Sequence, residues 1–195
     1  MAVVNDVRSA YVYGSKSFAM TVTALAVECG VDVLGCIDDF ASPDATAGSF
    51  EDLSARHAGG PIGILIGVGY SNLAARWALW RRVREAGWRT PVLVHPRAHV
   101  AATSRLGAGT LVMAGALVDH HCEIGEACVL WPQACVNHDS SVGANCFLSP
   151  QALLCGHVRL GAHSFVGAQA AVVDHAQLPE GSFLKMSSCI TTRPA

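Results

Sequence analysis

The chain has 195 residues, enough for one large domain or two small ones, and 51% of them are hydrophobic against 14% charged. That balance excludes a disordered chain, and a formal charge of −2 lacks the basic footprint of a nucleic-acid binder or an anionic-membrane binder. No apolar run reaches eighteen residues and residues 1–10 contain no signal-peptide core, so the expected setting is the cytoplasm, with no membrane partner.

The first half of the chain alternates strand and helix patterns. Residues 10–13 form a short apolar run ending at Gly14, and residues 17–29 have helical periodicity. A second strand over 33–37 ends at Asp38-Asp39, and a third over 62–66 ends at Gly67-Val-Gly69. Residues 71–86 predict a helix with Trp77, Trp80 and Val83 on its buried face, and residues 92–94 predict a last strand between Pro91 and Pro96. Strands alternating with helices imply a small, Rossmann-like parallel sheet with right-handed crossovers, here assigned to residues 1–96. Ligands of such sheets sit beyond the carboxyl ends of the strands. Those ends carry Gly14-Ser15-Lys16, Asp38-Asp39 and Gly67, which makes these residues the candidate substrate contacts. A single glycine in the first turn is not the dinucleotide fingerprint, so the phosphate signal is weak and a purely structural turn is the competing reading.

From residue 97 onward the pattern changes. Every sixth residue from Val100 through Leu106, Val112 and Val118 to Leu178 is Val, Ile or Leu, without a break. Four residues after each aliphatic comes a small side chain such as Ser104, Ala116, Cys122 or Ala134, with Val158 the largest. A six-residue period fits a short strand plus a bend, and three such segments close a triangular coil of eighteen residues. Residues 97–195 are therefore expected to form a parallel β-helix whose coils stack at roughly 4.8 Å, with the small residues near the corners. Cys122, Cys128 and Cys146 fall in the small slot and no Cys-x-x-Cys occurs, so the eight cysteines read as reduced packing residues.

Stacked in eighteens, the histidines align. His120, His138, Gly156 and Asp174 form one column, and His121, Asp139, His157 and His175 form its neighbour. Three readings fit such a corner: general-base catalysis with His138 oriented by Asp139, a metal site, and a scaffold in which imidazoles only pack. The histidine spacings do not match the zinc pattern of prism-shaped trimers that bind zinc, so no metal is expected.

Four stretches carry a resemblance: Tyr11-Val-Tyr-Gly14, Gly35-Cys-Ile-Asp-Asp39, Val94-His-Pro96 and Val136-Asn-His-Asp139. With them the chain resembles the hexapeptide-repeat sugar acyltransferases, which include sialic acid O-acetyltransferases and nucleotide-amino-sugar N-acetyltransferases of bacterial glycan pathways. The resemblance implies a left-handed β-helix, a homotrimer, and acetyl-CoA as co-substrate bound between adjacent prisms. It implies His138 as general base, Asp139 as its polarising acid, and Gly156 as backbone donor to the thioester oxygen. Gly156, His157, Ala168 and Asp174 become the acyl-CoA contacts. Gly14, Ser15, Lys16, Asp38, Asp39 and Gly67, with Phe147, become contacts to an amino sugar or nucleotide sugar. The chain departs from the pattern at its single-glycine first loop, at Phe147 where a further His is usual, and at the tail Thr191-Thr-Arg-Pro-Ala195. Sugar O-acetylation and an inactive trimeric scaffold are the competing functions.

Overall fold

The computed structural model describes residues 7–41, 45–57 and 61–191, so residues 192–195 of the divergent tail lie outside the described residues. The chain divides into two compact units that part between Pro91 and Val92.

The N-terminal unit is built on three parallel strands, β1 (Ser9–Tyr13), β2 (Asp32–Ile37) and β3 (Ile62–Ile66), in the order β2-β1-β3. Helix α1 (Ser17–Glu28) links β1 to β2 and helix α3 (Leu73–Glu85) follows β3, so the alternation expected from sequence is present. Between β2 and β3 lies a short helix, α2 (Phe50–Arg56), that apolar periodicity did not indicate. Its signal was local. Ser49 and Asp52 form a capping box in which the Ser49 hydroxyl accepts from the Asp52 N–H and the Asp52 carboxylate accepts from the Ser49 N–H.

The buried stripe of α3 is rotated from the expected one. Trp80 and Val83 are buried, but their partner one turn earlier is Arg76, while Trp77 is half-buried and stacks on Trp80 at 4.7 Å. Arg76 is fully buried and donates from Nη1 to the carbonyls of Ile66 (3.2 Å) and Val68 (3.0 Å). It thereby ties α3 to the carbonyls at the end of β3.

Residues 93–94 do not close the N-terminal sheet. They are the first strand of the solenoid, β4 (Leu93–Val94), paired in parallel with Leu111–Val112. With β5 (His99–Val100) and β6 (Arg105–Leu106) they make the first coil. Each later strand pairs with the one eighteen residues earlier, which gives three faces of six, six and five parallel strands. The six-residue register is thus longer than the unbroken run suggested. Val94, Leu184 and Ile190 also keep it.

Two positions in six fill the interior. The aliphatics Val112, Val118, Leu130, Val136, Leu148, Leu154, Val166 and Val172 are fully buried, and the small residues from Thr110 to Ala176 are at most 1% exposed. The small residue is therefore an inward-facing one, limited in size by the aliphatics beside it. Its polar versions remain satisfied: the Ser140 hydroxyl donates to the Cys155 carbonyl (3.0 Å) and accepts from the Val158 N–H (3.1 Å). Cys122, Cys128 and Cys146 are buried in the same slot, and all eight cysteines are free.

From residue 109 to residue 187, the residue just before the small one turns the corner in a left-handed conformation. His121, Ala127, Gln133, Asp139, Asn145, Gln151, His157, His163, Gln169, His175 and Ser187 all have φ between 54° and 63°. Asn, Asp and His tolerate this region better than most side chains. Part of the histidine and amide content of the corners is consequently a backbone requirement. The preceding slot has no such requirement and uses no N–H in the coil ladder, which is why Pro96, Pro132 and Pro150 fit there.

Candidate functional site

The histidine corner joins the second and third faces of the solenoid, after Val118, Val136, Leu154 and Val172. Both columns read from the sequence are present there. The coils are tied at this edge by the Asp139 N–H to the His120 carbonyl (2.9 Å), the His157 N–H to His138 (3.0 Å) and the His175 N–H to Gly156 (3.0 Å).

His138 lies at the centre. Its Nδ1 sits 2.9 Å from Asp139 Oδ2, and both side chains are about half exposed. The His138 hydrogen bond, with the neighbouring imidazoles His157 and His121, holds the Asp139 carboxyl below the usual carboxylate range. An ionised carboxylate can only accept, so in the neutral imidazole Nδ1 is the nitrogen that carries the proton and Nε2 the one with the lone pair. This tautomer is the one a general base needs.

The imidazole lies over Gly156. A Cβ at Gly156 would come within 2.7 Å of His138 Cε1 and 2.8 Å of Nε2, so only glycine admits the ring in this position. The Gly156 N–H occupies the slot that the ladder does not use, and it makes no hydrogen bond among the described residues. The His138 imidazole and an unengaged backbone N–H are thus neighbours at this corner.

His157 stands edge-on to His138 with ring centroids 5.3 Å apart, and its Nε2 is 3.9 Å from Asp139 Oδ2. It stacks face to face on His175 at 4.5 Å, and His175 Nε2 is 3.8 Å from Asp174 Oδ2. His120, one coil earlier in the same column, makes a weaker set of contacts. Its Nδ1 is 3.3 Å from the Thr103 hydroxyl and its Nε2 is 4.0 Å from Asp119. The column below it holds His138, where that below His138 holds glycine.

Two expected contacts lie elsewhere on the solenoid. Ala168 sits at the corner between the first and second faces, a different edge of the prism from His138. Phe147 points outward on the first face, is only 1% exposed, and packs between Trp131 and Phe165 at 5.9 and 6.0 Å. Its ring is taken up in this aromatic row.

The carboxyl ends of β1, β2 and β3 bring together Gly14, Ser15, Lys16, Asp38, Asp39 and Gly67. Gly14 has φ 125°, and a Cβ there would meet the Gly67 carbonyl at 3.0 Å. A Cβ at Gly67 would collide with Ala19 and Val12 below 3.0 Å. Both glycines are accounted for by this close approach. Lys16 and Ser15 are exposed, and the Ser15 hydroxyl donates to Asp38 Oδ2 at 2.6 Å.

Asp39 is a different case from Asp38. Its carboxylate accepts from the Tyr13 hydroxyl (2.5 Å), Arg82 Nη1 (2.5 Å) and the Phe50 N–H (2.9 Å). Phe50 in turn stacks on Tyr13 at 5.4 Å, and the Arg82 guanidinium lies 4.7 Å above the Phe50 ring. Burial alone would raise the Asp39 pKa, but the Tyr13, Phe50 and Arg82 bonds outweigh it and hold the carboxyl below its usual range. Burial and the Asp39 bond push the Tyr13 phenol above its ordinary value. A carboxylate already serving three donors acts as a structural latch between these elements.

No family model and no curated protein matches the chain. Solved structures do. The acetyltransferase domain of PglB from Neisseria gonorrhoeae FA1090, known also in complex with acetyl coenzyme A, is 24% identical, with a TM-score of 0.84 over 96% of this chain and 93% of that one. PerB from Caulobacter crescentus, in complex with CoA and GDP-perosamine, is 26% identical, with a TM-score of 0.85 over 95% and 89%. WeeI from Acinetobacter baumannii AYE is 16% identical, with a TM-score of 0.65 over 94% and 92%. Over nearly its whole length, the chain resembles the hexapeptide-repeat sugar acetyltransferases, the family that its sequence motifs indicate.

Proposed function

We propose that this protein is an acyltransferase that moves the acetyl group of acetyl-CoA onto an amine of a nucleotide-linked amino sugar, in bacterial glycan biosynthesis. The observation that carries it is the triad of His138, Asp139 and Gly156, with the ring seated where only a glycine leaves room. In this reading the amine attacks the thioester carbonyl directly while His138 Nε2 takes its proton. Asp139 stabilises the imidazolium that forms. The Gly156 N–H receives the developing oxyanion, a contact of a kind that contributes about 3 kcal/mol. Collapse of the tetrahedral intermediate expels the CoA thiolate, which leaves as the thiol after protonation.

An amine is favoured over a hydroxyl because PerB, 26% identical, holds GDP-perosamine with CoA. Ser15 and Lys16, which are exposed, and the half-buried Asp38 are the groups that would meet the nucleotide, with His157 and Asp174 flanking the acyl-CoA. Among the described residues no helix is long and apolar enough to cross a membrane. A cytoplasmic setting belongs to the proposal because activated sugars and acetyl-CoA are its substrates. The corner supplies one wall of a groove, so a homotrimer is the assembly that completes it.

Thiol release from acetyl-CoA in the presence of GDP- and UDP-linked amino sugars tests the reading. Turnover with one of them supports it. No turnover, with no calorimetric binding of acetyl-CoA, makes the protein a scaffold. Light scattering that gives one chain of 20.4 kDa at all concentrations removes the trimeric groove.

A further inference from the structure

The corner has a second chemical capacity, distinct from proton transfer. His138, Asp139 and His157 present donor atoms that all lie within 4.8 Å of one another. His138 Nδ1 stands 2.9 Å from Asp139 Oδ2, and Asp139 Oδ2 stands 3.9 Å from His157 Nε2. Ligand atoms at tetrahedral zinc, with bonds of about 2.0–2.2 Å, stand about 3.4 Å apart, so the observed spacings bracket the required one. Two imidazoles and one carboxylate are a borderline donor set that suits Zn(II) and not Mg(II) or Ca(II), which take oxygen ligands. All three groups are exposed, which leaves an approach path and room for water as the fourth ligand. Stacking of His157 on His175 and the left-handed backbone at Asp139 (φ 58°) hold two of the three ligands in place beforehand.

We propose that His138, Asp139 and His157 form an inhibitory Zn(II) site that switches the base off by exchanging its tautomer. The site is built from the same residues as the proposed acyltransferase centre, so the inhibitory consequence rests on that reading, whereas the metal binding does not. Zinc bound at His138 Nδ1 takes the place of the proton shared with Asp139. A neutral imidazole metallated at Nδ1 carries its one proton on Nε2. The lone pair that would accept the substrate proton is then gone, and Asp139 is neutralised by the metal. The proton displaced from Nδ1 is balanced by one taken up at Nε2 through solvent, so the ring stays neutral and no redox change is involved.

Co(II), as a spectroscopic stand-in for Zn(II), tests binding without reference to activity. Full-length protein titrated with Co(II) should bind one equivalent per chain with the intense visible bands of tetrahedral coordination, and Zn(II) should displace it. His157→Ala and Asp139→Asn, each checked for unchanged circular dichroism and Tm, should weaken Co(II) binding by at least about tenfold, since even indirect partners of a metal cost that much. Absence of tetrahedral bands, thiolate charge-transfer bands that signal cysteine ligation, or unchanged binding in both variants overturns the site. In a thiol-release assay, one equivalent of Zn(II) should abolish turnover and a chelator should restore it. Zinc bound without loss of turnover overturns the tautomer switch. Co(II) binding at these residues in a protein with no acyl transfer upholds the metal site and sinks the acyltransferase reading instead.

Discussion

The two units achieve their folds by opposite means. In the solenoid, one rule repeated every six residues places an aliphatic and a small side chain inside, and each coil takes its geometry from the one before it. The N-terminal sheet has no repeated rule. It depends on contacts made once: Arg76 on the end of β3, Gly14 against Gly67, and Asp39 between Tyr13, Arg82 and Phe50. The difference teaches where chemistry is cheap to install. A solenoid corner has two outward slots per repeat that the interior does not constrain, so His138 and Asp139 cost the fold little. In the sheet, a polar side chain such as Asp39 is already committed to holding elements together.

The sharpest way to test that contrast is to remove function without removing structure at the corner. His138→Ala should lower kcat by about 10²–10⁴ with acetyl-CoA affinity and Tm nearly unchanged, the scale of losing a positioned base. Gly156→Ala should lower kcat comparably, because its Cβ occupies the place of the ring. The same assay on His120→Ala separates the rivals: collapse there, with His138→Ala near wild type, would put the chemistry one coil earlier.

Inside the prism the expectation reverses. Leu148 is fully buried among coils that stack on both sides, and Leu148→Ala should destabilise by about 2–5 kcal/mol in chemical denaturation. A loss below about 1 kcal/mol would mean that the coils relax around a vacancy and that the repeat is less tightly packed than its burial indicates.

The latch in the N-terminal unit predicts a smaller, pH-dependent effect. Asp39→Asn leaves Arg82 and Tyr13 without their charged acceptor and should cost about 1–3 kcal/mol at neutral pH. The Asp39 carboxyl is depressed in the folded state, so its contribution is present above the unfolded carboxyl value of about 4 and is lost as pH falls through the lower folded value. Asp39→Asn should therefore flatten the acid side of the wild-type Tm profile. Asp38→Ala, by contrast, should leave Tm alone and raise the KM for the nucleotide sugar. Raised KM and unaltered Tm in Asp39→Asn would return Asp39 to the ligand site.

The smallest effect concerns the corners themselves. Ser187 is exposed with φ 56°, so Ser187→Gly should stabilise by about 0.5–1 kcal/mol as the left-handed strain is relieved. Destabilisation would show that the corner gains more from its side chain than the backbone loses.

The solenoid was legible in the sequence because its contacts recur at a fixed spacing, so one pattern specifies register, interior and the alignment of His138 over Gly156. The unbroken run understated its length only because Val94, Leu184 and Ile190 lie beyond the stretch first counted. The sheet and its two long helices were legible as strand and helix periods, and α2 would have been legible from Ser49 and Asp52 as a cap. Which polar residues are spent inside the structure was not legible. Asp38 and Asp39 are neighbours in the chain, yet one is bonded by Ser15 in the adjoining loop and the other is gripped by side chains 26 and 43 residues away. Nor could the sequence separate histidines placed by chemistry from those that a left-handed corner favours. Local periodicity determines which face a residue occupies. Its partners are set by elements far apart in the chain, and only the tertiary structure brought those together.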